Sequence, residues 1–78
     1  MSLSYFKDDD QEKADQLLNQ YDYNMMQSAL NIKKGNFRDA GANHREMTFI
    51  CDQLQYMKNE KETIDQIIQE LKDRNIQL

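Results

Sequence analysis

The chain has no proline and no tryptophan, two glycines, one cysteine and one histidine in 78 residues. Without proline, nothing forces a helix to break. With only Gly35 and Gly41, there are few places for the tight turns that a sheet protein needs. One cysteine cannot form an intramolecular disulfide, and it fits a reducing compartment, so a cytoplasmic location is expected. No apolar run approaches the length of a membrane span. Asp8, Asp9 and Asp10 interrupt the amino end, so no signal-peptide pattern is expected there. A basic surface is lacking too: the net charge is −4. That balance disfavours non-specific contact with nucleic acid or with an anionic membrane, both of which need cations to displace counterions.

What is present is a polar, charged, helix-forming sequence, 38% apolar and 31% charged. Its apolar residues are periodic. Met47, Ile50, Leu54, Met57, Ile64, Ile68, Leu71 and Leu78 recur at alternating three- and four-residue steps. Lys61 and Asn75 hold the polar places in the same series. This is the a/d seam of a heptad, and such a seam must be covered by another helix.

Earlier in the chain, Ala14, Leu17, Leu18, Tyr21, Met25, Ala29 and Ile32 form one apolar stripe at helical spacing. Between the two segments, Lys33-Lys34-Gly35-Asn36 reads as a helix end, a left-handed glycine and a new cap. The spacing therefore predicts an all-α chain built as an antiparallel helical hairpin with a long second helix. Its halves are a helix over 9–34, capped by Asp9 and Glu12, and a helix over 37–77. The alternative is a compact three-helix bundle with a break near Asn59, inside the polar run Lys58–Thr63. Residues 1–8 are expected as a flexible tail, with an apolar arm of Leu3, Tyr5 and Phe6 lying on a groove as the other reading. All of it makes one domain.

Gly35, Phe37 and Ala40 resemble the turn and second-helix start of a tetratricopeptide hand. There is no repeat, however, and the second helix is too long, so nothing about that family is carried over.

Each helix also carries a second, weaker apolar set on its far side: Tyr23, Met26 and Leu30 on the first, Phe49, Tyr56 and Ile67 on the second. The second helix is much longer than the first, so Ile64, Ile68 and Leu71, with Lys61 and Asn75, project beyond the cover the first can give. These eleven residues are the candidate interface. They predict a homodimer or, alternatively, a subunit or co-chaperone that completes its fold on a different helical protein.

No catalytic constellation is evident. His44 and Cys51 are seven residues apart, about 10 Å along a helix, too far to share a metal or a proton. Cys51 is expected as a shielded, unreactive thiol at the seam. The expectation is a non-enzymatic protein-protein interaction module, an assembly factor, adaptor or regulator, with no cofactor, metal or small-molecule substrate.

Overall fold

The long heptad of the second half sets the architecture. In a computed structural model that describes residues 3–74, helix α2 runs unbroken from Phe37–Asp73. The shorter helix α1, Gln11–Lys33, packs against it. Two single turns of 3-10 helix, Leu3–Tyr5 and Asp8–Asp10, precede α1, and no strand occurs among the described residues. The molecule is an elongated rod of 62 × 17 × 15 Å with a radius of gyration of 17.8 Å. A compact chain of this length would have a radius near 12 Å. Leu78 and the end of the expected second helix lie outside the described residues.

The turn follows from its backbone. Gly35 sits at φ 76, a left-handed conformation that costs a residue with a Cβ about 1–2 kcal/mol. The Gly35 amide donates to the Ile32 carbonyl at 3.1 Å, and the Asn36 amide donates to the Asn31 carbonyl at 2.8 Å. Together these two bonds make the Schellman closure of a helix end. Asn36 begins α2 with its backbone alone: its carbonyl accepts from the Ala40 amide at 3.0 Å, and its side chain makes no capping bond.

The expected capping box of Asp9 and Glu12 does not form. Asp9 lies inside the second 3-10 turn, the cap position belongs to Asp10, and no side chain caps the helix there. The turn is held instead by the Asp10 amide on the Lys7 carbonyl at 2.9 Å. The Gln11 side chain, which reaches back to the Phe6 carbonyl and to Asp8, adds to it. Nor is there a break near Asn59. Gln55 donates to Asn59 and Thr63 donates to its carbonyl, both at helical i, i+4 spacing. The three-helix alternative is therefore not what this chain forms.

Two expectations about the core need correction. The face of α1 that meets α2 is Ala14, Leu17, Tyr21, Asn24, Ser28 and Asn31, each buried or half-buried, whereas Met25, Ala29 and Ile32 are exposed. An apolar line at 3.6 residues per turn drifts about 20° per heptad away from a seam repeating every 3.5, so the later members of the expected stripe rotate out. On α2 the same seam starts earlier than Met47. Ala40 and Asn43 continue its phase back to the turn, both withdrawn from solvent.

The amino-terminal segment is the second correction. It takes the form of the arm: Phe6 is 4% exposed and clusters with Ala14, Leu17, Ile50 and Met57, while Leu3, Tyr21 and Leu54 pack around them. A two-helix seam leaves its open end wet on one side, and an aromatic ring supplies apolar area that α1 and α2 lack. Replacing Phe6 with alanine should therefore destabilise the fold by about 3–5 kcal/mol, enough to unfold much of so small a domain. Urea denaturation followed by circular dichroism checks this, and an unchanged midpoint would show the arm to be dispensable.

Candidate functional site

Toward the turn the seam is polar. Asn31 Nδ2 donates to Asn43 Oδ1 at 2.9 Å, Asn43 Nδ2 donates to Asn24 Oδ1 at 3.0 Å, and Asn24 Nδ2 donates to the Gln20 carbonyl at 2.9 Å. Beside this ladder Ser28 Oγ and His44 Nε2 share a hydrogen bond of 2.8 Å. Ser28 is 4% exposed, yet no buried side-chain N or O atom lacks a partner among the described residues. A serine-histidine contact of this length is also what nucleophilic catalysis needs. Here no carboxylate pairs with His44 among the described residues, and the buried serine has no open face toward a substrate. The contact acts as a seam fastener. Among the described residues no group of His, Cys, Asp and Glu converges to hold a metal.

Toward the open end the seam is apolar and closed by the arm. Lys7 reaches across to α2, where its Nζ lies 2.9 Å from Glu60 and 3.7 Å from Asp10. Lys58 stands over the Tyr5 ring at 5.5 Å, and the Tyr5 and Phe6 rings meet edge-on. The hydrogen bond from Lys7, and then that from Tyr56, hold the Glu60 carboxyl below its ordinary 4.5. The same pairing raises Lys7 above its ordinary 10.5, and the bond to Glu60 raises Tyr56 above 10.0.

Beyond Glu60, α1 is gone. Residues 61–73 of α2 extend past the end of the hairpin by roughly 20 Å. There Ile64 is 42% exposed, Ile67 51% and Ile68 37%, with Leu71 half-buried. These four fall at i, i+3, i+4 and i+7, a single contiguous stripe. Lys61 flanks it, its Nζ 2.6 Å from Asp65, while Lys58 pairs with Glu62 at 3.4 Å.

The structure thus separates the eleven candidate interface residues. Tyr23, Met26 and Leu30 are exposed on the outer face of α1, opposite its seam. Phe49 and Tyr56 are exposed on α2, two turns apart. Ile67 shares the outer line of α2 with Phe49 and Tyr56, and its place in the overhang also sets it beside Ile64, Ile68 and Leu71, while Asn75 lies outside the described residues. What the sequence reading missed is the polar ladder. Its signal was there in the three- and four-residue spacing of Asn24, Ser28 and Asn31.

Cys51 is exposed, which overturns the expectation of a shielded thiol. Ile50 takes the inward place at 0% exposure, and the next residue, turned by 100°, faces outward. No helix among the described residues is long and apolar enough to cross a membrane. No protein-family model, curated protein or solved structure matches the chain.

Two outcomes follow from this geometry. Cys51 should react with a thiol reagent in the native state at a rate close to that of the unfolded chain, and strong protection would contradict its exposure. Docking of the arm should depend on pH at both extremes. Glu60 is lowered, so its contribution is complete above 4.5 and is lost as pH falls through the lowered value. Lys7 and Tyr56 are raised, so theirs is complete below about pH 10 and is lost as pH rises through the raised values. Ring signals of Phe6 by NMR should keep their docked shifts across the neutral plateau and move toward unfolded values in acid and in strong base.

Proposed function

We propose that the chain is a non-enzymatic association module, a small assembly factor, adaptor or regulator that forms a homodimer through the uncovered part of its α2 seam. One observation carries this reading. The overhang presents Ile64, Ile68 and Leu71 in continuous helical phase with a seam that α1 covers elsewhere, with Ile67 widening the apolar stripe at its edge. Single exposed apolar residues are ordinary on a surface, but a stripe at i, i+3, i+4 and i+7 is the pattern with which helices dock.

In the second reading, a subunit completing its fold on a different protein, an acidic residue of that protein would face Lys61 in the seam. Lys61 already has one in Asp65 of its own helix. That pairing removes the need for a foreign carboxylate and favours self-association. The chain's charge argues against nucleic acid as the partner. An exposed free thiol at Cys51 is compatible with the reducing cytoplasm, where the reading places it.

Light scattering at tens of micromolar should give twice the mass of one chain. Ile68→Asp should return it to a monomer, shifting the dissociation midpoint by at least about a hundredfold, since a charge would be buried in the seam. The hairpin core lies elsewhere, so the variant should keep its helical circular dichroism. Tyr23→Asp, on the outer face of α1, should leave the mass unchanged. A parent chain that is monomeric and well folded would end this reading.

A further inference from the structure

The two ends of the α2 seam differ in one respect that dictates how a second copy can bind. Up to Glu60 the seam is filled by α1 and the arm; from Lys61 to Asp73 it is open. A partner helix lying parallel on the open part would have to run its own earlier residues along the line that α1 occupies. It would also place Lys61 against the partner's Lys61, and Glu60 across from the partner's Asp65, two like-charge contacts. An antiparallel partner avoids the line of α1, because it comes from the Asp73 side and stops where α1 begins. Its own like-charge contacts, Asp65 on the partner's Asp65 and Lys58 on the partner's Lys72, are each offset by a pair within the chain, Lys61 with Asp65 and Lys58 with Glu62.

Resting on the association reading above, we propose that two copies join tail to tail, each overhang lying antiparallel on the other and occupying the place that α1 leaves vacant. With the two-fold axis midway between Ile64 and Ile68, the layers are Ile64 on the partner's Ile68 and Lys61 beside the partner's Leu71. Ile67 meets the partner's Ile67 near the axis. On the flank of the seam that carries Ile67, Glu60 faces the partner's Arg74. The basic end of the partner's α2, Lys72 and Arg74, arrives at the acidic Asp8–Asp10 turn that opens α1. There the carbonyl end of one helix meets the amide end of another in line, a favourable alignment of helix dipoles. Each dimer is then two continuous lines of helix, α1 of one copy followed by the overhang of the other. The lengths match, since the stretch uncovered in one copy is the stretch that does the covering in the other.

This arrangement predicts a shape no side-by-side dimer has. Two 37-residue helices overlapping only along the overhang span roughly 90 Å, against 62 Å for one chain. Small-angle scattering of the unmodified protein reads that maximum dimension directly. As a second readout, a chain carrying Glu60→Cys is mixed under mild oxidation with a chain carrying Arg74→Cys, both in a Cys51→Ser background. The expected product is the mixed 60–74 disulfide, in large excess over 60–60 and 74–74 species. Because Glu60→Cys also removes the Lys7 pair, its circular dichroism is compared with that of the parent, and the scattering result stands independently. A dimer by light scattering that is only about 62 Å long and gives no mixed disulfide overturns the tail-to-tail geometry while leaving association intact. A monomer by light scattering overturns both.

Discussion

A seam longer than the helix that covers it governs this molecule. α2 repeats its inward positions without a phase error from Ala40 to Leu71, while α1 starts at Gln11, opposite about Glu60. Burial follows from that mismatch. Ala40, Ile50 and Met57 are buried where α1 or the arm lies on them, and Ile64 and Ile68 are exposed on the same line of the same helix. The rod shape has the same cause, since about a third of α2 extends past the start of α1. Neither helix would be a stable monomer by itself, because most helical stability comes from packing an apolar face.

Within the covered part, specificity and stability reside at opposite ends. The amide ladder of Asn24, Asn31 and Asn43, with Ser28 on His44, has its hydrogen bonds made in only one register. Each such bond contributes little net, about 1 kcal/mol, but leaving a buried one unmade costs more. A slip of one heptad would leave several unmade, so the ladder works as a register pin in the way a polar residue does within a coiled-coil seam. The apolar end supplies the burial. Because it is open on one side, it recruits Phe6, and the Lys7–Glu60 pair holds that arm in place at neutral pH.

Parts of this were legible in the sequence for definite reasons. Gly35 after two lysines has almost no other meaning in a chain without proline, and the α2 heptad carries seven apolar residues in phase. The face of α1 was not legible from apolarity alone. Near the turn its inward positions are asparagine and serine, and Met25 and Ile32 offered a more hydrophobic but wrongly phased stripe. The arm stood only as the second reading because three apolar residues near the amino end carry no periodicity, and their value appears only once the open seam is known. The capping residues were overread. Asp9 and Asn36 are of the right types, but backbone bonds had already met the need. Cys51 shows how sharp the phase is: one residue from Ile50, it changes from core to surface.

The composition of the overhang bears on whether its exposure is incidental. A helix segment left in water is best made of alanine, leucine, glutamate and lysine; isoleucine and threonine are worse by a few tenths of a kcal/mol each, because a branched Cβ loses rotamer freedom there. Residues 61–73 nevertheless hold Thr63, Ile64, Ile67 and Ile68. Ion pairs and amide bonds at i, i+4, Lys61 with Asp65 and Gln69 with Asp73, offset part of that cost. Branched side chains suit a helix-helix seam, where their restricted rotamers pack without further entropy loss. The overhang is thus a segment whose residues are poor choices for standing in solvent and good ones for being covered, and α1 ends too early to cover them.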